Sequence, residues 1–100
     1  MNFISYDLGT GGIKASLYNE KMETLAKSFI EYPTYYPQSY MHEQRPLDWW
    51  EGFKSSTSVL LKESGVSPDT IACLALSGHS LVTVPIGKDG NILLNQVPIW

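Results

Sequence analysis

One hundred residues with 43% hydrophobic and 12% aromatic side chains suffice for one small core, are too few for two, and exclude intrinsic disorder. Seven Lys plus Arg against ten Asp plus Glu leave a net charge of -3, so neither nucleic acid nor an anionic membrane finds an electrostatic footprint; any phosphate must be held by local geometry or a metal. No apolar stretch approaches the ~20 residues that span a bilayer, and no basic leader precedes an apolar core, which predicts a cytoplasmic protein.

Phe3–Leu8 is a short β-prone run, followed by the turn cluster Gly9-Thr10-Gly11-Gly12 and by Ile13–Tyr18, where Ile13, Ala15 and Leu17 alternate with Lys14, Ser16 and Tyr18. Two strands joined by a glycine-rich hairpin satisfy that pattern. Asn19–Met22 is a reverse turn and Thr24–Tyr32 a third strand, completing an antiparallel meander. From Pro33 to Arg45 the composition turns to Tyr, Pro, Gln, Ser and His without a hydrophobic period, which predicts an irregular surface loop.

Pro46 suits a first helical turn, Asp48 and Glu51 favour the positive end of the helix dipole, and Gly65 with Pro68 supplies a stop. Trp50, Phe53, Thr57, Leu60 and Leu61 fall on one face of the resulting helix. Trp49 and Trp50 are adjacent and cannot share that face fully, and both are read as packing residues. Ile71–Leu76 is apolar without alternation, which predicts a parallel strand covered on both sides, with Cys73 packed as a small hydrophobe and unable to form an internal disulfide. Ser77-Gly78-His79-Ser80 interrupts the run. Leu81–Ile86 resumes β character, Lys88-Asp89-Gly90-Asn91 signals a turn, and the run ending in Val97-Pro98-Ile99-Trp100 reads as a last strand. The expected class is α/β: a three-stranded antiparallel meander, a crossover helix, then further strands of a mixed sheet.

The stretch from Asp7 to Lys14 carries the chemistry. A carboxylate at a strand end sits beside a hairpin whose backbone N–H groups can converge on an anion, with the Thr10 hydroxyl as a further donor and Lys14 as a positive charge. Asp7 would serve a Mg²⁺ through water, because Mg²⁺ dehydrates reluctantly. No helix follows the glycines, so this is neither a P-loop nor the dinucleotide fingerprint.

Asp7-Leu8-Gly9-Thr10-Gly11-Gly12-Ile13-Lys14 resembles the first phosphate motif of the sugar kinase, actin and heat-shock ATPase superfamily. Within that superfamily, Glu43-Gln44-Arg45-Pro46-Leu47-Asp48-Trp49-Trp50 is similar to the Glu-Gln-x-Pro-x-x-Trp-Trp segment of the FGGY carbohydrate kinases. Leu76-Ser77-Gly78-His79 is similar to that family's strand ending in Ser-Gly-Gln, and Lys88–Leu93 followed by Pro98-Ile99-Trp100 to its Asp-x-x-Gly then Ile-x-Trp pattern. Each motif alone is weak, but their ordered coincidence over the whole chain is specific.

The resemblance implies an actin-like ATPase domain of ribonuclease H-like fold and ATP-dependent phosphorylation of a hydroxyl of a sugar, polyol or sugar acid. It implies that Asp7 serves the metal, that Thr10, Gly11, Gly12 and Lys14 contact ATP phosphates, and that His79, Ser80, Leu81 and Trp100 lie at the substrate. Ser80 and Leu81 stand where xylulokinases place Met-His and glycerol kinases Arg-Glu, so neither specificity transfers. His79 replaces a Gln by a group that titrates near neutral pH.

Family members are several times longer, with two lobes, a catalytic Asp and further nucleotide motifs beyond the stretch matched here. Residues 1–100 are accordingly expected to be the N-terminal part of the first lobe. Alone they would hold no catalytic base, be inactive, and be marginal or aggregation-prone, with a carbohydrate as small-molecule partner and a homodimer possible for the whole enzyme. The readings from other classes are an actin- or heat-shock-type ATPase and a self-standing binding module.

Overall fold

The computed structural model describes residues 1–100. Four strands form one sheet in the order β3-β2-β1-β5: β1 spans Asn2–Leu8, β2 Gly12–Asn19, β3 Thr24–Glu31 and β5 Ile71–Ser77. β1–β2 and β2–β3 are antiparallel and β1–β5 is parallel, as the meander and crossover reading predicts. A second ladder pairs β4 (Glu43–Gln44) with β6 (Val97–Pro98).

Alternation in β1 and β2 turns Ile4, Tyr6, Ile13, Ala15 and Leu17 to one face, where they join Ala26, Tyr32 and Leu60 as the buried core. The cross-strand partners Asp7 and Lys14 consequently share the opposite face at the hairpin end. Helix α1, Pro46–Ser64, closes the core; Pro46 stands in its first turn, Asp48 meets its positive end, and Gly65 ends it in the left-handed conformation at φ 72°.

Phe53, Thr57 and Leu60 of the expected apolar face meet the core, but the helix is rotated so that Trp50 turns out of it. Gly52, Ser56 and Leu60 form the buried stripe, Trp49 is half-buried, and Trp50 is 54% exposed. Small residues decide this rotation: a Cβ on Gly52 would stand 3.1 Å from Ile13 Cγ2, so glycine lets the helix axis approach β2. Thr57 lies on the inner side and its hydroxyl, donating to the Phe53 carbonyl at 2.8 Å, accepts from the Tyr6 hydroxyl at 2.6 Å. Burial pushes the Tyr6 phenol pKa above its ordinary value despite that bond.

Three expectations are corrected. First, β5 is largely exposed and Cys73 with it, because α1 lies across β2 and β3 and leaves the β5 edge uncovered. Leu8, Trp49, Trp50, Phe53 and Leu76 line an apolar recess of about 300 Å³ beside that edge. Second, β5 alone extends the mixed sheet after the helix. Leu81–Ile86 forms no strand; only an isolated bridge Ile86↔Ile92 closes around the predicted Lys88–Asn91 turn, and the final run shortens to β6. Leu81 adopts φ 60°, which interrupts extended backbone, and Pro85 brings no N–H to a ladder. Third, the stretch 33–45 is irregular but anchored, since Tyr35 and Glu43 exchange backbone bonds of 2.7 and 2.9 Å before β4 pairs with β6.

Replacing Thr57 by Val leaves the buried Tyr6 hydroxyl without a partner and should cost about 1–3 kcal/mol. Tyr6→Phe should cost about 1 kcal/mol, and the double variant no more than Thr57→Val alone. Urea denaturation midpoints of the three variants read this directly; additive losses would mean that the pair is not coupled.

Candidate functional site

The carboxyl ends of the parallel strands β1 and β5 lie side by side, with Asp7 in register with Ser77. Beyond them come the hairpin Gly9–Gly12 and the segment Ser77–Ser80, the edge at which open sheets of this kind receive ligands.

Each carbonyl of the hairpin is tied into the protein. The Gly9 carbonyl accepts from the Tyr32 hydroxyl, the Thr10 carbonyl from Gln44 Nε2 at 2.6 Å, the Gly11 carbonyl from the Tyr32 amide at 3.4 Å, and the Gly12 carbonyl from the Gly9 amide at 3.0 Å. A trans peptide unit points its C=O and N–H in opposite directions. Tyr32 at the Gly9–Thr10 peptide therefore turns the Thr10 N–H outward, and Gln44 at the Thr10–Gly11 peptide does the same for the Gly11 N–H. Neither amide donates to any group of the protein. The result is a loop with carbonyls inward and two free donors outward, which is what an anion requires.

Two glycines of the hairpin serve different ends. A Cβ on Gly12 would stand 2.7 Å from Phe29 Cε2 and closer still to the Ile30 carbonyl, so β3 excludes any larger residue. Nothing lies within 4 Å of a Cβ on Gly11, so this side of the hairpin is open. Asp7 and Lys14 are both exposed and neither closes an ion pair. No group of three or more His, Cys, Asp or Glu side chains converges anywhere in the chain, so a cation here would draw on Asp7, water and oxygens supplied by the ligand.

Gln44 is 0% exposed and joins four segments. Its Nε2 donates to the Thr10 carbonyl and, at 2.9 Å, to Thr34 Oγ1; its Oε1 accepts from Trp49 Nε1 at 2.9 Å and meets His79 Nε2 at 3.0 Å. The His79 ring also lies 5.1 Å, centroid to centroid, from that of Trp49. Burial holds the His79 pKa below the ordinary 6.5, partly opposed by the negative charge of Asp7. Burial, reinforced by the same carboxylate, pushes Tyr32 up to about 12, so its hydroxyl stays a donor across the physiological range.

The structure thus brings Asp7, Thr10, Gly11, Gly12, Lys14 and His79 to one end of the sheet. Ser80 is exposed there, and Leu81 is fully exposed in its left-handed conformation. Trp100 is 80% exposed and stands apart, stacked on His42 at 4.2 Å with Tyr36 edge-on to the same imidazole. Its connection to the Gln44 segment runs through His42 and the neighbouring β4–β6 ladder. Sequence reasoning assigned no role to Gln44 or Tyr32. The one signal for Gln44 was its place five residues before Trp49 in the Glu-Gln-x-Pro-x-x-Trp-Trp segment, and for Tyr32 there was none.

The sequence profile of the FGGY family of carbohydrate kinases, N-terminal domain, matches residues 2–100. A glycerol kinase of Citrifermentans bemidjiense is 26% identical over 97 residues, covering 97% of this chain and 20% of the relative. Among solved structures, the xylulose kinase from Rhodospirillum rubrum superposes with a TM-score of 0.88 at 19% identity, covering 98% of this chain and 20% of its own. The gluconate kinase from Lactobacillus acidophilus does so with a TM-score of 0.85 at 21% identity, covering 96% and 19%. The chain spans about a fifth of the length of the relatives it matches, and the actin-like ATPase fold is shared with those structures.

Gly12→Ala should lower stability by about 2–3 kcal/mol through overpacking against β3, whereas Gly11→Ala should stay within about 0.5 kcal/mol. Chemical denaturation separates the two; equal losses would contradict the assignment of Gly11 to the open side. For His79, the unfolded chain takes up a proton near 6.5 and the folded one only at lower pH. Stability should therefore fall as pH drops through that value, and His79→Gln should remove that part of the slope in a pH series of melting curves.

Proposed function

Because the chain belongs to the FGGY family of carbohydrate kinases, we propose that it supplies the N-terminal part of the first lobe of an enzyme that transfers a phosphoryl group from ATP to a hydroxyl of a sugar, polyol or sugar acid. The observation that carries this reading is the hairpin with every carbonyl tied inward and the Thr10 and Gly11 amides free.

The terminal phosphates of ATP sit over Thr10–Gly12, receiving the two free amides and the Thr10 hydroxyl, with Lys14 adding charge from the returning strand. Phosphoryl transfer asks the protein for position and charge stabilisation more than for covalent chemistry. A hairpin fixed by Tyr32 and Gln44 meets that demand, since its donors are oriented before the ligand arrives and lose little freedom on binding. Asp7 beside a phosphate would repel it unless a cation stood between them. Mg²⁺, held by Asp7 through water, would supply that neutralisation of charge on the phosphate oxygens.

The acceptor lies on the other side of Gln44, near His79 and Ser80. The absence of Met-His or Arg-Glu at Ser80-Leu81 separates this chain from both the xylulose and the glycerol pattern, and the neutral imidazole of His79 favours a hydroxyl over a carboxylate as its contact.

The full-length protein should release ADP from Mg·ATP only when one member of a panel of ketoses, polyols and aldonates is present, as measured by a coupled ADP assay. Asp7→Asn should lower kcat/KM by at least about a hundredfold. Steady ATP hydrolysis indifferent to every sugar would replace the kinase reading by that of a conformational ATPase.

A further inference from the structure

The buried amide of Gln44 can be oriented in only one way. Trp49 Nε1 carries a proton and no lone pair, so the atom facing it is the oxygen; the Thr10 carbonyl only accepts, so the atom facing it is the nitrogen. With Oε1 thus assigned, the group that meets it at 3.0 Å, His79 Nε2, must be the donor. Gln44 then uses both its protons and both its lone pairs, with Thr10, Thr34, Trp49 and His79 as the four partners.

A neutral imidazole carries one proton, and here it is on Nε2, which makes Nδ1 an acceptor. Nδ1 has no partner in the protein, and it is not among the buried unpaired atoms, of which Ser28 Oγ is the only one; it therefore keeps solvent-accessible surface. An accessible acceptor with a fixed tautomer is complementary to a hydroxyl that donates.

We propose that Gln44 is a positioning residue that couples the two halves of the site, turning the Gly11 amide outward toward phosphate while locking His79 in the Nε2–H tautomer, so that Nδ1 accepts a hydrogen bond from a hydroxyl of the acceptor substrate. The substrate contact rests on the kinase reading above; the tautomer and the coupling do not. Among the residues packed around His79, Trp49 and Gln44 are uncharged, and Asp7 on β1 is the charged group whose field reaches the ring.

The relay distinguishes donors from non-donors at position 79. Gln can present an N–H to Gln44 Oε1; Met has nearly the same length and cannot. In the full-length protein with ¹⁵N-labelled histidine and backbone, the wild type should show a protonated Nε2 and an unprotonated Nδ1 at neutral pH. His79→Gln should keep the wild-type amide resonances of Thr10 and Gly11, and His79→Met should move them. Gln44→Met should move both the hairpin amides and the His79 ring signals, and should raise KM for ATP and for the sugar together by roughly tenfold. A proton on Nδ1 in the wild type, or hairpin amides indifferent to His79→Met, would overturn the proposal even if the protein is a kinase. If Gln44→Met fails to fold, the wild-type tautomer and the Gln and Met variants at position 79 decide it. A protein with no sugar-dependent activity but with these spectra would instead refute the kinase reading and leave the relay standing.

Discussion

A single buried carboxamide organises this molecule. Gln44 lies where β4, the start of α1, the β1–β2 hairpin and the segment after β5 meet, and it bonds to all of them or to their neighbours. Burying an amide is unfavourable unless each donor and acceptor is paired. The same condition that makes Gln44 costly in isolation makes it specific in place. Only an arrangement in which four partners arrive together satisfies it, so the position of the hairpin, the indole of Trp49 and the imidazole of His79 are set jointly. Tyr32, just after β3, completes the arrangement, holding the hairpin by its hydroxyl and its amide.

The consequence is a candidate anion site without excess positive charge. A chain of net charge -3 attracts no phosphate at long range. It instead offers two free amides in a fixed direction, a hydroxyl and one lysine, with the carbonyl dipoles turned away. A flexible glycine loop would expose carbonyls to the phosphate as often as amides; this one does not, because its carbonyls are engaged. The glycines here provide room, and the surrounding side chains provide direction.

How much of this was legible before the fold was known depends on distance along the chain. β1, β2, β3, the helix and the parallel strand follow from alternation, helical period, turn residues and the β-α-β order, all of which act within a few residues. The rotation that turns Trp50 out is not legible from hydrophobic spacing, which gives no weight to the buried Gly52 and Ser56, although Gly52 is what fits closely against Ile13 and Tyr32. The burial of β5 was misread because an apolar run shows that a strand tolerates cover on both sides, and not that cover is present. Leu81–Ile86 has β propensity, which loses where Leu81 turns to positive φ and Pro85 brings no N–H to a ladder. At the site, Asp7, Thr10, Gly11, Gly12 and Lys14 lie within one hairpin and were visible in it. Gln44 and Tyr32 were not, since the groups they hold are 34 and 23 residues away in sequence.

The amino-acid sequence by itself determined the class of this protein: the meander, the crossover helix, the phosphate-type hairpin and the order of motifs that marks an FGGY carbohydrate kinase domain. Those features are local, and local chemistry writes them directly into residue type and spacing. Only the tertiary structure decided which way the hairpin amides face, which tryptophan packs, that Cys73 lies open on an uncovered edge, and that one glutamine links the hairpin to the imidazole. Those outcomes depend on directional bonds and steric fit between segments far apart in the chain, and no periodicity records them.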